Sequence, residues 1–337
     1  MRASLFFLML IVLISVVACS DVRQEKAVVV YASVDQHYAE PVIRKFSQQT
    51  GIKVLAVYDV EAAKTTGMVN RLVAEKSRPQ ADVFWSGEFV QTLLLKDKGL
   101  LTPYISPSAQ DIPATFKDPE GYWTGFAGRA RVLLVNNRGL PPGQRPVSLF
   151  DLLDSTLPGS QVGLAYPLFG TTLTHAAALY AYLGPQQGKA FFEHIKERGL
   201  RLAEGNATVR DLVVQGQLLI GLTDTDDACA AIQRGAGVTA IFPDQEGMGT
   251  LIIPNTAALV AGGPHPQEGR AFIDFLLSIE VENLLVASGW CLAPSRPVTA
   301  EPVCFKDSAI KGMDLHLEQI YQHLPQVQQD MRELFLR

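Results

Sequence analysis

Short apolar runs alternate with amphipathic stretches through the first hundred residues. Residues 27–31 (AVVVY) read as a buried strand, and 37–50 as a helix with Tyr38, Val42 and Phe46 on one face and Gly51 as its stop. A second strand follows at 52–58, a second helix at 65–76 and a third strand at 81–85 (ADVFW). Ser86-Gly87-Glu88 then opens a helix that ends before Gly99. This β-α-β-α-β order predicts an α/β protein with a parallel sheet covered by helices. Ser33 with Asp35, and Ser86 with Glu88, fall at strand ends, where open α/β sheets bind ligands.

Further along, residues 125–136 (GFAGRARVLLVN) begin small and basic and become a strand, with others at 162–165 and 201–203. Helices are predicted up to 183 from Gly170, over 191–198 and over 205–216. Two of their starts, Gly170-Thr171-Thr172 and Gly205-Asn206-Ala207-Thr208, read either as plain caps or as cradles whose backbone N–H groups hold an anion. Of Arg129 and Arg131, only one is expected to face them. Residues 249–260 read as a strand, a Pro-Asn turn and a second strand. Helices at 266–277 and 280–288 precede a loop at 289–298, and 308–336 is expected to be mostly helical.

Residues 218–235 (LLIGLTDTDDACAAIQRG) concentrate the candidate chemistry. An apolar strand over 218–222 runs into a helix stopped by Gly235, and Asp224, Thr225, Asp226 and Asp227 stand at the join. The acids suit the positive end of the helix dipole, and Asp224 or Thr225 suits an N-cap. Three carboxylates within four residues also repel one another, which points to a ligand site. Removing Asp226 and Asp227 together is expected to abolish binding and leave the fold intact.

Composition narrows the classes. A chain of 337 residues with 47% hydrophobic and 19% charged residues is globular and long enough for two domains. The net charge is −5 and no Lys/Arg stripe is present, which argues against a nucleic-acid partner. Arg2, the apolar run 5–17 and the small residue Ala18 read as a secretory signal over 1–18. Val16-Val17-Ala18-Cys19 resembles the lipobox of bacterial lipoproteins, which implies lipidation at Cys19 and a polar tether over 19–26. Of the other cysteines, Cys291 and Cys304 are candidates for a disulfide across a Pro-rich loop, and Cys229 is expected to be a buried thiol. No CxxC or His-rich spacing suggests zinc.

Taken in order, YASVDQ, TGIKV, ADVFWSGE, GRARV, PLFGTT, GNATVRD, GLTDTDDA and FIDFLLS resemble the iron(III)-type periplasmic solute-binding proteins of bacterial ABC importers. The likeness runs from about Val28 to Pro297. It implies a two-lobe periplasmic binding protein fold, type II-like, with hinge strands between the lobes. Lobe one would be 27–127 plus 250–294, and lobe two 128–249 plus 295–337. The implied function is capture of a small ligand between the lobes, iron(III) or another hard metal ion with a synergistic anion, for delivery to ABC permease membrane subunits. No enzyme activity or resident cofactor is implied; the metal is cargo. A monomer in the periplasm or cell envelope, anchored to the membrane by its lipid, is expected.

The resemblance distributes roles unevenly. Arg129, Gly170 with Thr171, and Asn206 match the positions that hold the anion. The iron-holding tyrosine pair falls on Asp226 and Asp227, the His on Asp35 and the Glu on Gly87, beside Glu88. Asp35, Asp226 and Asp227 are therefore the expected metal ligands, since carboxylates are hard oxygen donors. Ser33, Asp35, Ser86, Arg129, Gly170, Thr171, Thr172, Asn206, Asp224 and Thr225 are the expected ligand contacts. An organic phosphate, a phosphonate or another small anionic or zwitterionic metabolite is the alternative cargo. Asp224-x-Asp226 also resembles the nucleophile strand of the haloacid-dehalogenase-like phosphatases, which would imply a Mg²⁺-dependent enzyme; Ala228 departs from that pattern.

Overall fold

The computed structural model describes residues 26–59, 66–140, 143–306 and 310–336, so the signal segment, the lipobox and all of the tether but Lys26 lie outside the described residues. In chain order the first elements are β1 (Ala27–Ala32), α1 (Gln36–Thr50), β2 (Lys53–Tyr58), α2 (Thr66–Ala74), β3 (Val83–Ser86), α3 (Val90–Asp97) and β4 (Leu101–Thr102). A long strand, β5 (Thr124–Asn136), leads into β6 (Val162–Ala165), α4 (Gly170–Leu183), α5 (Pro185–Glu197), β7 (Arg201–Ala203) and α6 (Asn206–Val214). Then come β8 (Ile220–Asp224), α7 (Thr225–Gln233), β9 (Val238–Ile241) and β10 (Ile252–Val260). Four helices close the chain: α8 (Pro266–Leu276), α9 (Ile279–Ser288), α10 (Leu317–Gln322) and α11 (Leu324–Phe335). No helix among the described residues is long and apolar enough to cross a membrane.

The strands run β2-β1-β3-β10-β5-β8-β6-β7, with β4 beside β10 and β9 beside β5. β1 pairs in parallel with β2 and β3, and β6 with β7 and β8, as the β-α-β rhythm requires. β5 joins the two parallel groups. Its first half, Thr124 to Ala130, pairs antiparallel with β10, and its second half, Arg131 to Asn136, pairs with β8 and β9. The ladder partner changes between Ala130 and Arg131, so each half of the sheet can pack its own helices.

Packing follows that division in part. Val28, Val30 and Ala32 of β1 bury one face against Phe46 of α1 and Phe272 of α8, whose rings meet edge to face at 5.0 Å. Val132 and Leu134 of β5 pack with Val209 and Val213 of α6 and with Ala228 and Ala231 of α7. A third cluster spans both halves, from Phe84 and Phe89 through Leu133 and Leu164 to Leu317 and Ile320 of α10. The C-terminal helices thus strap the halves together, and Tyr321 Oη donates to Asp97 at the end of α3 at 2.6 Å.

Several expectations are corrected. No turn interrupts the second crossing strand: β10 runs straight through Pro254 and Asn255. A register shift between Ile253 and Asn255 lets the ladder pass the proline, which has no N–H to give. β8 sits two residues later than its apolar run, because the Arg131–Asp224 pairing extends the ladder into the acids. Residues 310–316 carry no helix; Thr250 and Gly312 form a bridge there instead.

The disulfide joins Cys229 and Cys304, and Cys291 is a buried free thiol, which overturns the expected Cys291–Cys304 pairing and the expected thiol at Cys229. Cys291 follows Trp290, and both are held under the sheet with Val286 and Leu285 of α9. Cys229 on α7 faces the returning segment, where its Cα lies 5.7 Å from that of Cys304. By the loop-entropy estimate for a 75-residue separation, this bond stabilises by about 4 kcal/mol. Reduction, or Cys304→Ser, is therefore expected to lower the thermal midpoint clearly, while Cys291→Ser changes it little. Thermal unfolding with and without dithiothreitol checks this, and equal midpoints would contradict it.

Candidate functional site

Five strand ends converge on one cleft. Ser33 follows β1, Gly87 and Glu88 follow β3, Ala165 ends β6, Gly205 follows β7 and Asp224 ends β8; all of them stand at the carboxyl ends of strands that pair in parallel. The cleft is further lined by Asp35, Arg129, Phe169, Gly170, Thr171, Thr172, Asn206, Ala207, Asp226 and Asp227. Most expected contacts therefore meet in one place. Two do not line it. Thr225 Oγ1 accepts from Ala130 N–H at 3.1 Å and turns to the crossing strand. Ser86 lies behind Ser33, with their hydroxyl oxygens 3.4 Å apart.

One wall is built from helix starts. Phe169 and Gly205 are the N-caps of α4 and α6, and neither supplies a side-chain cap. The first backbone N–H groups of both helices are left to the cleft. Gly170 takes φ +57°, a conformation that suits a glycine at that turn.

The acidic wall is charge-balanced. Asp224 Oδ1 accepts from Arg131 at 2.6 Å, and its Oδ2 from Thr171 Oγ1 at 2.7 Å and Asn206 Nδ2 at 3.0 Å. Asp226 lies 3.2 Å from Arg129, and Asp227 lies 3.0 Å from Arg210 and accepts from Thr223 Oγ1 at 3.0 Å. Burial alone would raise the Asp224 carboxyl, but Arg131 and Arg129 outweigh it and hold it below the usual range. Burial, then the neighbouring Asp226, push Asp227 well up, against the pull of Arg210. Arg129 keeps its charge despite burial because Asp226 and Asp224 face it. His175, buried behind Arg131, is pushed down to about 3 by burial and by that guanidinium, and stays neutral.

Both arginines of β5 face this wall, since residues two apart on a strand share a side. The expectation that only one would do so is corrected. Arg131 is spent on Asp224, Thr171, Thr172 and Asn206, and Arg129 reaches the cleft. Arg129 is also fixed from behind: it donates to Gly87 O at 2.7 Å and stacks on Trp290 at 4.1 Å. Sequence reasoning missed Trp290, which sits outside every motif, and Arg210, which lies within GNATVRD but four residues past the helix start that drew attention to it. The buried pairing also revises the expected effect of deleting Asp226 and Asp227. Alanine there would leave Arg129 only the more distant carboxylate of Asp224 and Arg210 only the exposed Asp211, and breaking a buried pair such as Arg129–Asp226 costs on the order of 3–5 kcal/mol.

Glu88 ties the two halves together. Its carboxylate accepts from Val90 and Gln91 N–H at 2.7 and 3.1 Å, capping α3, and from Thr174 Oγ1 of α4 at 2.9 Å. Burial raises its pKa from 4.5 to about 7, although these hydrogen bonds oppose the rise. A raised carboxyl means that the folded protein keeps a proton that the unfolded chain has lost. The resulting stability is complete below about pH 4.5 and is lost as pH rises through about 7. Glu88→Gln is expected to flatten this part of the stability profile. An unchanged slope in denaturant melts between about pH 5 and 8 would exclude Glu88 as its source.

At Gly87, an added Cβ would meet Arg129 Nη2 at 3.3 Å. Gly87→Ala is expected to displace the guanidinium with little loss of stability, which calorimetry of binding and of unfolding would separate.

A cleft at strand ends, walled by two halves of one sheet that share crossing strands, defines a protein that encloses a small solute. The chain belongs to the family of bacterial extracellular solute-binding proteins, which it matches over residues 78–310. It is 24% identical over 279 residues to Iron uptake protein A1 of Synechocystis sp., covering 79% of this chain and 75% of that one. Its fold is shared with a ferric binding protein from Campylobacter jejuni, at a TM-score of 0.83 and 21% identity, covering 91% of this chain and 99% of that one. The periplasmic binding protein AfuA from Actinobacillus pleuropneumoniae, solved with fructose-6-phosphate, gives a TM-score of 0.81 at 21% identity, covering 93% and 99%. These likenesses bear out the resemblance to the iron(III)-type binding proteins of ABC importers and the two-lobe fold that it implied.

Proposed function

We propose that this chain is the substrate-binding lipoprotein of an ABC importer, held in the cell envelope through Cys19, which delivers its cargo to the membrane permease as a monomer. Lobe one is 27–127 plus 250–294 and lobe two is 128–249 plus 295–337, and closure is stable when cargo engages both walls. The cargo is iron(III) or another hard metal ion with a synergistic anion. The observation that carries this reading is that ligand oxygens of Asp224, Asp226 and Asp227 lie within 4.8 Å of one another, facing two uncapped helix starts. Asp226 and Asp227, with Asp35 on the opposite wall, hold the metal; Gly170, Thr171, Asn206 and Arg129 hold the anion. Asp224, with both oxygens engaged by Arg131, Thr171 and Asn206, fixes the wall. That engagement also argues against a phosphatase nucleophile at Asp224, as does family membership.

A second reading has one specific observation behind it. The acids already have arginine partners at 2.6–3.2 Å, so the wall carries little net negative charge to spare for a trivalent ion. Carboxylates held by guanidiniums are good acceptors for hydroxyl or ammonium groups, and the helix starts suit a phosphate. This favours an organic phosphate or a zwitterionic metabolite.

Thermal unfolding of the lipid-free mature domain separates the two. The probes are Fe³⁺ with citrate or carbonate, divalent metals, and hexose phosphates. Binding at 100 times the dissociation constant adds about 2.7 kcal/mol of stability. A shift with Fe³⁺ that requires the anion supports the metal reading; a shift with a hexose phosphate and none with metal overturns it. Asp226→Asn with Asp227→Asn is expected to weaken binding of the active probe at least tenfold, by about 1.4 kcal/mol or more. Unchanged affinity in a folded double variant would remove the acids from the site.

A further inference from the structure

The crossing between the halves carries three irregularities at one level. Between the pairs Arg129–Ile253 and Phe126–Asn255, β5 has one residue more than β10. The extra length is taken up at Ala127, a non-glycine residue at φ +47°, whose N–H donates to the buried Glu282 at 3.1 Å. A third segment joins there: Gly128 N–H donates to Ala293 O at 2.8 Å, and Ala293 N–H returns to Gly128 O at 2.9 Å. A non-glycine residue persists in this conformation where its surroundings hold it, and such positions recur at switch regions.

Trp290 touches both this kink and the cleft. Its indole N–H donates to Asn255 Oδ1 at 3.3 Å, and Asn255 in turn donates to the carbonyl of Ala127. The Arg129 guanidinium lies over the same indole, 4.1 Å from its centre, and then bonds Asp226. Trp290 is fully buried, so the path from Ala127 through Asn255, Trp290 and Arg129 to Asp226 crosses no solvent at the indole.

We propose that Trp290 is the positioning residue that couples the hinge to the cargo. Its ring sets the height of the Arg129 guanidinium, and its N–H fixes the ring to the kink at Ala127, so the guanidinium moves with the crossing strands. This rests on the reading of Arg129 as a cargo contact. Movement at the kink re-aims Arg129, and an anion held by Arg129 favours one setting of the kink.

Two variants separate the ring from its anchor. Trp290→Phe keeps a ring beneath Arg129 and loses the bond to Asn255; Trp290→Leu loses both. The ligand-free test is the Arg129 Nε–H signal in ¹⁵N-labelled protein, together with small-angle scattering. The indole face moves that signal upfield in wild type; Trp290→Phe retains a shift and Trp290→Leu abolishes it. Both variants change the scattering curve, because the hinge is released from the cleft. Fe³⁺-citrate and glucose 6-phosphate are then titrated. The probe that binds wild type is bound about tenfold more weakly by Trp290→Leu, through faster dissociation, and within about threefold by Trp290→Phe.

Equal affinity of wild type and Trp290→Leu, or a scattering curve of Trp290→Phe identical to that of wild type, overturns the proposal. If Trp290→Leu fails to fold, Trp290→Phe alone decides by its signal and its scattering curve. A wild type that binds neither probe defeats the cargo reading and leaves the ligand-free measurements to decide the coupling.

Discussion

Charge balance out of water governs this molecule. Three carboxylates, Asp224, Asp226 and Asp227, are buried within reach of one another; the guanidiniums of Arg129 and Arg131 are buried with them, and that of Arg210 is half-buried beside Asp227. Neither set could be enclosed alone, since an unpaired buried ion costs several kcal/mol and protonates or drives rearrangement instead. Two of the guanidiniums come from β5, so the acidic turn is tolerable only where that strand is seated against β8. The order of dependence is therefore crossing strand first, acids second, cleft third. Cargo entering this cleft meets groups that already have partners, so it must match their geometry as well as their charge.

The same strand is also the irregular one. β5 pairs with both halves of the sheet, changes partner between Ala130 and Arg131 and carries the kink at Ala127 three residues earlier. Arg129 lies between the kink and the partner change. A guanidinium at that level is at the point about which two rigid bodies would turn, where a small rotation alters its direction more than its position. Glu88 with Thr174 and the C-terminal strap act further out, where the same rotation would part their contacts.

The architecture was legible because hydrophobic period and glycine stops are local signals. AVVVY, ADVFW and the Ala-rich helix after Gly170 declare their elements within a few residues, and the ordered motifs identified the family. Gly170, Thr171, Asn206, Asp226 and Asp227 could be placed at one cleft for a related reason: strand ends and helix starts carry short polar signatures. What was misread depends on contacts distant in sequence. The partner of Cys229 lies 75 residues away, and Arg210 meets Asp227 from another helix. Pro254 looked like a turn because a proline inside a strand requires a register shift in its neighbour, which the local sequence does not display. Thr225 looked like a ligand contact because the direction of a side chain at a strand–helix junction is set by the next strand, here through Ala130.

The Cys229–Cys304 bond bears on how the protein is assembled. It ties α7, the helix that carries Asp226 and Asp227, to a segment 33 residues before the C-terminus. A chain synthesised N-terminus first can complete β1 to α6, and even seat the acids beside Arg129, before Cys304 is available. The covalent tie then comes after β10 has returned through the sheet and α9 has docked. The bond therefore records that the crossing strands are in register: a chain in which they were shifted would not bring the two sulfurs within bonding distance.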